Sequence, residues 1–364
     1  MNSQQSSPAA QASSGKKSFY KKLLWSILFL LIAATSIWAV SSQMKEESLA
    51  DLGRSLAGLK PWWIIAAIFS MFCYIASEGL AIHAGCRALG ITPKRKHTLD
   101  YSAADIYFSA ITPSATGGQP ASVVLMMQDG ISGIAATAIL LINLTMCTLA
   151  TIVIGILCFS FKVSIFHNFG TTAQIFITVG FALQLVLATC LYLLIRHENI
   201  LKGICSGFIS LGAKVGIVKN KESSLSNLAQ KIHRYKETIQ MVTGKKKYLL
   251  SMFLCNVLQR ASQVAVTSFV FLAMGLGGAT GPDIWALQGY VLLGSNYVPI
   301  PGGMGITDYL LLDGFGAILP SSAAAQLDLL SRSLSFYLCI LLCGGALLAR
   351  WIYRSRKKYR TETC

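Results

Sequence analysis

Six stretches of this chain run for about 20 residues or more with almost no charge: 23–42, 62–89, 133–159, 172–196, 248–276 and about 323–352. A helix needs roughly 20 apolar residues to cross the hydrocarbon layer of a bilayer. No water is available there for backbone N–H and C=O groups, so a span must close its hydrogen bonds within itself. Six such stretches in one chain point to an all-α polytopic membrane protein. Composition agrees, with 13% charged residues against about 25% in soluble domains. No long polar segment remains for a soluble catalytic domain.

The net charge of +16 could suggest a nucleic-acid partner, but its placement argues against one. Lys16, Lys17, Lys21 and Lys22, then 94–96, then 245–247, then Arg354 to Arg360 all flank apolar runs. This is the positive-inside pattern of membrane topology, and it suits anionic headgroups of the cytoplasmic leaflet. It predicts a cell-membrane protein with both termini cytoplasmic. Residues 1–18 read as a disordered cytoplasmic N-terminus, 19–353 as a single transmembrane domain and 354–364 as a basic cytoplasmic tail. The run from Leu23 follows a basic flank as a signal peptide does, but it is longer than a usual signal core and reads as a retained first span. The polar loop 197–247 reads as cytoplasmic. Within it, Leu225, Leu228, Ile232, Ile239 and Val242 fall near helical spacing, which predicts an amphipathic helix on the inner surface or on the protein. The ten cysteines are scattered without metal spacing or a disulfide framework, and are expected to be reduced packing residues.

Two segments are apolar but broken: 101–130 (YSAADIYFSAITPSATGGQPASVVLMMQDG) and 284–319 (IWALQGYVLLGSNYVPIPGGMGITDYLLLDGFGAIL). The charge pattern puts both ends of the first on the cytoplasmic side and both ends of the second on the outer side. Each therefore reads as a re-entrant helical hairpin. Span, span, hairpin, span then occurs twice with opposite orientation, in halves of about 19–160 and 171–353. That is the inverted-topology repeat of many secondary transporters.

Proline lacks an N–H and clashes with the preceding helical turn, so Pro113, Pro299 and Pro301 are expected to end the entering half-helices. Gly117, Gly118, Gly302, Gly303 and Gly305 permit the turn and a close backbone approach. Gln119 lies at the first tip, and Pro120 suits the first position of the returning helix. Half-helix N-termini in the membrane interior would present N–H groups and a positive dipole end to an anion such as a phosphate. The alternative is that small residues here only help helices pack.

Ionisable residues inside apolar stretches are candidates by default. Glu78 and His83 lie in the second span, with Arg87 near its inner end; Asp105 enters the first hairpin. Arg260 lies in the fifth span, Arg332 in the sixth, and Asp308 follows the second tip. A guanidinium can bind phosphate bidentately, so Arg260 and Arg332 suit an anionic headgroup; alternatively they pair with Glu78, Asp105 or Asp308. Asp308 could cap its helix, pair with an arginine or carry a coupling proton. His83 reads as packing or interfacial, and Asp129, Asp283 and Asp313 as interfacial. No phosphate-binding loop, nucleophile elbow or metal-binding histidine pair occurs, so no catalytic residue, metal or cofactor is expected.

The segments FSAITPSATGGQPASVVLM (108–126) and PIPGGMGITD (299–308) resemble the two signature segments of the lysylphosphatidylglycerol synthase transmembrane-region family, the flippase-like part of the multiple-peptide-resistance factor proteins. The similarity runs from about 20 to 353 and includes Arg332 and the following small-residue run CGGALLA. It implies a bacterial membrane protein that moves a phospholipid, of phosphatidylglycerol or aminoacylated type, between leaflets, with a bearing on antibiotic resistance. Full-length members carry a C-terminal domain that transfers lysine from charged tRNA to phosphatidylglycerol. The sequence ends at Cys364 straight after its last span, so lysyl transfer by this chain alone is not expected. The second motif commonly ends in glutamate; Asp308 keeps the charge with a shorter reach.

The leading expectation is a lipid transporter. The rival is a membrane component of lysyl-phosphatidylglycerol synthesis that works with a separately encoded transferase; a third reading is a scaffold whose hairpins only pack. Membrane phospholipids are the expected partners, with a second copy of the chain as a further candidate and no nucleic acid.

Overall fold

Proline at the first position of a helix removes an N–H that has no intrahelical partner there, and Pro61 opens the first helix in this way: α1, Pro61–Ala88. The computed structural model describes residues 58–112, 115–197, 203, 221–296 and 305–362. The expected span 23–42 and the N-terminal segment 1–18 lie outside the described residues. Among the described residues the regular elements are all helical.

Two short helices follow, α2 Arg95–Ile111 and α3 Gly118–Gln128, in place of the first predicted hairpin. Next come α4 Gly133–Phe161, the short α5 Val163–Asn168 and α6 Thr171–Arg196. Ser132 caps α4 by accepting from the N–H of Ala135 at 3.2 Å, a standard way to satisfy a first-turn donor. The amphipathic α7, Lys221–Thr243, leads into α8, Lys246–Met274. A left-handed Gly275 (φ +67°) ends α8. The second broken segment forms α9 Gly281–Ser295 and α10 Ile306–Gly316. Thr280 and Asp283 close a reciprocal capping box at the start of α9. The last span is built from α11 Ser321–Arg332, a π-helical turn Ser333–Tyr337, and α12 Leu338–Glu362.

Among the described residues five helices are long and apolar enough to cross a membrane: α1, α4, α6, α8 and the composite Ser321–Arg356. α3 and α10 have 11 residues each, about 16 Å at 1.5 Å per residue, roughly half the hydrocarbon thickness. Boundaries differ from the sequence-based expectation in three places. α2 starts at Arg95, six residues before Tyr101, because polar residues continue a helix as readily as apolar ones. A helical turn, α5, occupies the expected loop 161–170. The last span carries a π turn that an apolar run does not reveal.

α1 and α8 run antiparallel in close contact. Lys60 N–H donates to the Ala273 carbonyl at 2.9 Å, and Ser70 Oγ donates to the Ser262 carbonyl at 2.9 Å. The buried residues of α1 include Ala67, Ser70, Ser77, Ala81, Ala84 and Gly85. Small residues let helix backbones approach, which is how helices associate where lipid removes the hydrophobic drive between them. The same device seats α9 on α6. A Cβ on Gly180 would lie 2.0 Å from the Leu293 carbonyl oxygen. α12 crosses α2, with Gly344 against the Tyr107 ring.

The C-terminal turns of α7 dock on the protein. Ile239 and Val242 are buried with Ala84, Ala138, Ile142 and Met252, and Ile232 is buried as well. Leu225 and Leu228 have side chains outside the described set. Elsewhere the outer surface is apolar: Phe69, Val179, Val186, Leu254 and Leu341 are all at least half exposed. Such a surface is stable only against hydrocarbon. Trp62, Phe161, Trp351 and Tyr353 are exposed near helix ends, where aromatic rings favour the membrane–water boundary.

Candidate functional site

Polar side chains from nearly every helix converge on one cavity of about 610 Å³, within the range of small-ligand sites. Five glutamines reach it: Gln119, Gln184, Gln259, Gln263 and Gln288. They come from four helices, α3, α6, α8 (Gln259 and Gln263) and α9, and each carries two donors and an acceptor that need partners in a dry setting.

Glu78 of α1 is 6% exposed. It accepts from Gln259 Nε2 at 3.1 Å and from Ser102 Oγ at 3.4 Å. Asp105 of α2 is 7% exposed; it accepts from Gln119 Nε2 at 3.0 Å and from Ser109 Oγ at 3.3 Å. The two carboxyl groups are neighbours. Two ionised carboxylates are acceptors only, so a hydrogen bond between them requires that one carry a proton.

Arg260 of α8 lines the same cavity. Its Nη1 donates to Gln263 Oε1 at 2.7 Å and its Nη2 to Cys147 Sγ at 3.0 Å. Its Nε is buried without a hydrogen-bond partner. No carboxylate among the described residues forms an ion pair with it. Cys147 is therefore more than a packing residue.

Arg332 also lines the cavity, but its Nη1 is engaged by Asp308 Oδ1. Asp308 Oδ2 accepts from the Gly305 N–H at 2.8 Å, so one carboxylate both caps α10 and pairs with the arginine. Gly305 has φ +81°, a conformation that side chains disfavour. Arg332 stands directly before the π turn, and Ser335 and Phe336 within that turn line the cavity. π turns inside helices are frequent at functional sites.

At the first tip, Gly117 N–H donates to Thr112 Oγ1 at 2.8 Å. A Cβ on Gly118 would stand 2.1 Å from Asp105 Oδ1 and 2.4 Å from the Asp105 carbonyl, so only glycine lets the start of α3 sit on α2. α3 begins at Gly118, which makes Pro120 its third residue, and Pro120 is exposed. Ala115 holds φ +53°, a conformation that costs an L-residue about 1–2 kcal/mol.

The structure thus brings Glu78, Gln119, Arg260 and Arg332 to one cavity, with Asp105 added. Gly117, Gly118, Gly305 and Asp308 support it from the two tips. Pro113, Pro299, Pro301, Gly302 and Gly303 lie outside the described residues. Asp308 caps the N-terminus of α10 through the Gly305 N–H, while Asp105 lies against the start of α3 and bonds the Gln119 side chain there. Sequence reasoning passed over four of the glutamines and Cys147. The available signal was the desolvation cost of an amide inside an apolar span, which applies to Gln184 and Gln259 as it does to charges.

A second polar cluster ties α12 to the first hairpin. Arg350 donates to Asp100 Oδ2 at 2.7 Å and to Asp129 Oδ2 at 2.9 Å. Arg354 donates to Asp129 Oδ1 at 2.9 Å, and Tyr101 Oη to Asp129 Oδ2 at 2.7 Å. Burial pushes the Asp129 carboxyl up, but Tyr101, Arg350 and His97 overcome it and hold it below its ordinary value. Arg354 read as a topology signal and Asp129 as merely interfacial; together with Arg350 they form a structural clamp. Asp283 pairs with Lys162 at 2.7 Å. Burial raises its carboxyl, while Lys162 and Thr280 bring it down to about 2.

Comparison with known proteins places this architecture. A UPF0104 membrane protein from Archaeoglobus fulgidus is 24% identical over 251 residues, covering 66% of this chain and 72% of that protein. The sequence pattern of the family described as "Lysylphosphatidylglycerol synthase TM region" matches residues 23–343, most of the chain and all of its cavity-lining helices up to Ile340. This multi-pass membrane protein belongs to the lysylphosphatidylglycerol synthase TM region family.

Proposed function

We propose that this protein moves a phospholipid between membrane leaflets, binding the phosphodiester of the headgroup in the central cavity at Arg260. The single observation that carries this reading is Arg260 itself. It is a guanidinium facing a polar cavity, with an unpartnered Nε and no carboxylate ion partner among the described residues. A phosphate oxygen pair matches its donor fork. The glutamines offer both donors and acceptors to the hydroxyls or amine of a headgroup, and the apolar outer surface keeps acyl chains in lipid.

In this reading α2–α3 and α9–α10 are re-entrant hairpins entering from opposite faces, and the halves are inverted repeats. The half-membrane lengths of α3 and α10 support the first point. The antiparallel pairing of α1 with α8, each the helix before a hairpin, supports the second. Arg332, held by Asp308, lines the same cavity as Glu78 and Asp105. The protein sits in the cell membrane with its termini on the cytoplasmic side.

The test is reconstitution of the full chain in liposomes with fluorescent phosphatidylglycerol, read by dithionite quenching. Arg260→Met, checked for wild-type elution on size exclusion, is expected to slow leaflet exchange by about 10- to 100-fold, the worth of a charge-assisted hydrogen bond of roughly 1.5–3 kcal/mol. Wild-type exchange by a folded Arg260→Met protein refutes the assignment. The family description favours a second reading, a membrane component of lysyl-phosphatidylglycerol synthesis; it predicts lysyl transfer that depends on this chain and a separate transferase, with no leaflet exchange.

A further inference from the structure

The charges that face the cavity have an arithmetic. Arg332 is neutralised by Asp308. Arg260 contributes one positive charge. Glu78 and Asp105 are both buried and both line the cavity; sharing one proton, they contribute one negative charge. In that protonation state the charges of these side chains sum to zero. A phosphodiester on Arg260 adds a negative charge, in a setting where uncompensated charge is expensive.

From this geometry we infer that Glu78 and Asp105 form a proton-binding site coupled to the headgroup site, so that one proton is taken up with each phosphodiester and released with it. The inference rests on the headgroup reading above. A second proton on the carboxyl pair restores neutrality, and both acids keep hydrogen-bond partners when protonated: Ser102 and Gln259 at Glu78, Ser109 and Gln119 at Asp105. The charged and titratable groups that face the pair are Arg260 from α8, Cys147 from α4, Cys339 from α12, and Tyr74 from α1 itself. Arg260 is the only cation in that set. The group that binds the phosphate is therefore also the group whose charge offsets the carboxyls, and occupying one site must alter the other by the same factor in both directions. The site is assembled by the hairpin: Gly118 rests on Asp105 and Gln119 holds its second oxygen, so a movement of α3 would change the proton's surroundings together with access to the cavity.

Coupling one proton to one singly charged phosphatidylglycerol moves no net charge. The distribution of the lipid should then follow the pH gradient and ignore the membrane potential. The experiment uses the full chain in liposomes containing a trace of fluorescent phosphatidylglycerol. One arm carries a pH gradient of one unit with valinomycin and equal potassium on both sides. A second carries a valinomycin-set potential at equal pH, and a third carries neither. Readings are taken while protein-free vesicles still hold their starting distribution. Because the distribution is an equilibrium property, the orientation of the protein in the vesicles does not matter.

The expected result is a tenfold enrichment of the probe in the leaflet facing the alkaline side, one decade per pH unit, with no response to potential. The Glu78→Gln/Asp105→Asn protein should lose the pH response. A wild-type protein that exchanges the probe in the third arm, but distributes it by potential and not by pH, overturns the proton site while leaving the headgroup reading intact. No exchange in any arm by correctly folded protein overturns both.

Discussion

Replacing Arg350 by methionine isolates the clamp between α12 and the first hairpin. The Arg350, Asp100 and Asp129 side chains are 8%, 9% and 7% exposed, so their charges compensate each other rather than being hydrated. Methionine keeps the length and removes the charge. Asp129 would retain Tyr101 and Arg354. Asp100 would lose its ion partner. Breaking a buried pair by removing one member costs about 3–5 kcal/mol, and the surviving partners of Asp129 put this case at the lower end, about 3 kcal/mol. For a chain of this size about 2 °C is lost per kcal/mol, so the melting temperature of the detergent-solubilised protein should fall by roughly 6 °C. Adding Asp100→Asn should recover part of the loss, because it removes the orphaned charge; the coupling in this double-mutant cycle should be about 1–3 kcal/mol. A single variant that melts within 1 °C of wild type, or an Asp100→Asn change that adds its full independent cost, would refute the view that these charges hold the helix to the hairpin.

Gly118→Ala should destabilise by at least 1–3 kcal/mol through overpacking, since the neighbour at 2.4 Å is backbone. Gly345→Ala, with nothing within 4 Å, should melt at or above the wild-type temperature; thermal scans of both decide it. Asp308→Asn keeps a cap on the Gly305 N–H but strands Arg332, so adding Arg332→Met should cost less than the sum of the two single changes, measured by the same scans. Asp283 should stabilise the fold fully above its ordinary value near 4, with the contribution lost as pH falls toward its folded value of about 2. The melting-temperature gap between wild type and Asp283→Asn should therefore close between about pH 4 and pH 2, and a gap that stays constant across that range counts against the Lys162 pairing.

The spans and the two broken segments were legible because bilayer thickness and proline chemistry act on contiguous residues. A run such as 133–159 needs no partner to be recognised, and Gly117 and Gly118 announce a close approach before its object, Asp105, is known. The cavity was legible only through its charges. Glu78, Arg260 and Arg332 stand out against apolar neighbours; Gln184 and Gln259 do not, although each amide must also be satisfied. Pairings were illegible wherever they join distant positions. Nothing near Arg350 hints at Asp100, 250 residues earlier, and the choice of Asp308 over Glu78 as the partner of Arg332 depends on how the hairpins fold back. Pro113, Pro299, Pro301, Gly302 and Gly303 lie outside the described residues, and their part in the tips stays with the proposal above.

The π turn at Ser333–Tyr337 sets a reading frame for everything that follows it. Each residue of an α-helix turns the chain by about 100°. A wider turn that holds a surplus residue therefore absorbs that rotation and hands α12 on nearly in phase with α11. Arg332 before the turn and Arg350 after it face their separate partners in that phase. Closing the turn to a plain α-helix with every residue kept would swing Arg350 away from Asp100 by about a quarter of a revolution, although neither residue had been touched, whereas deleting Ser335 at the same time would bring the two back nearly into phase. The last span behaves like a two-part key whose teeth align only while the wide turn in the shaft stays open.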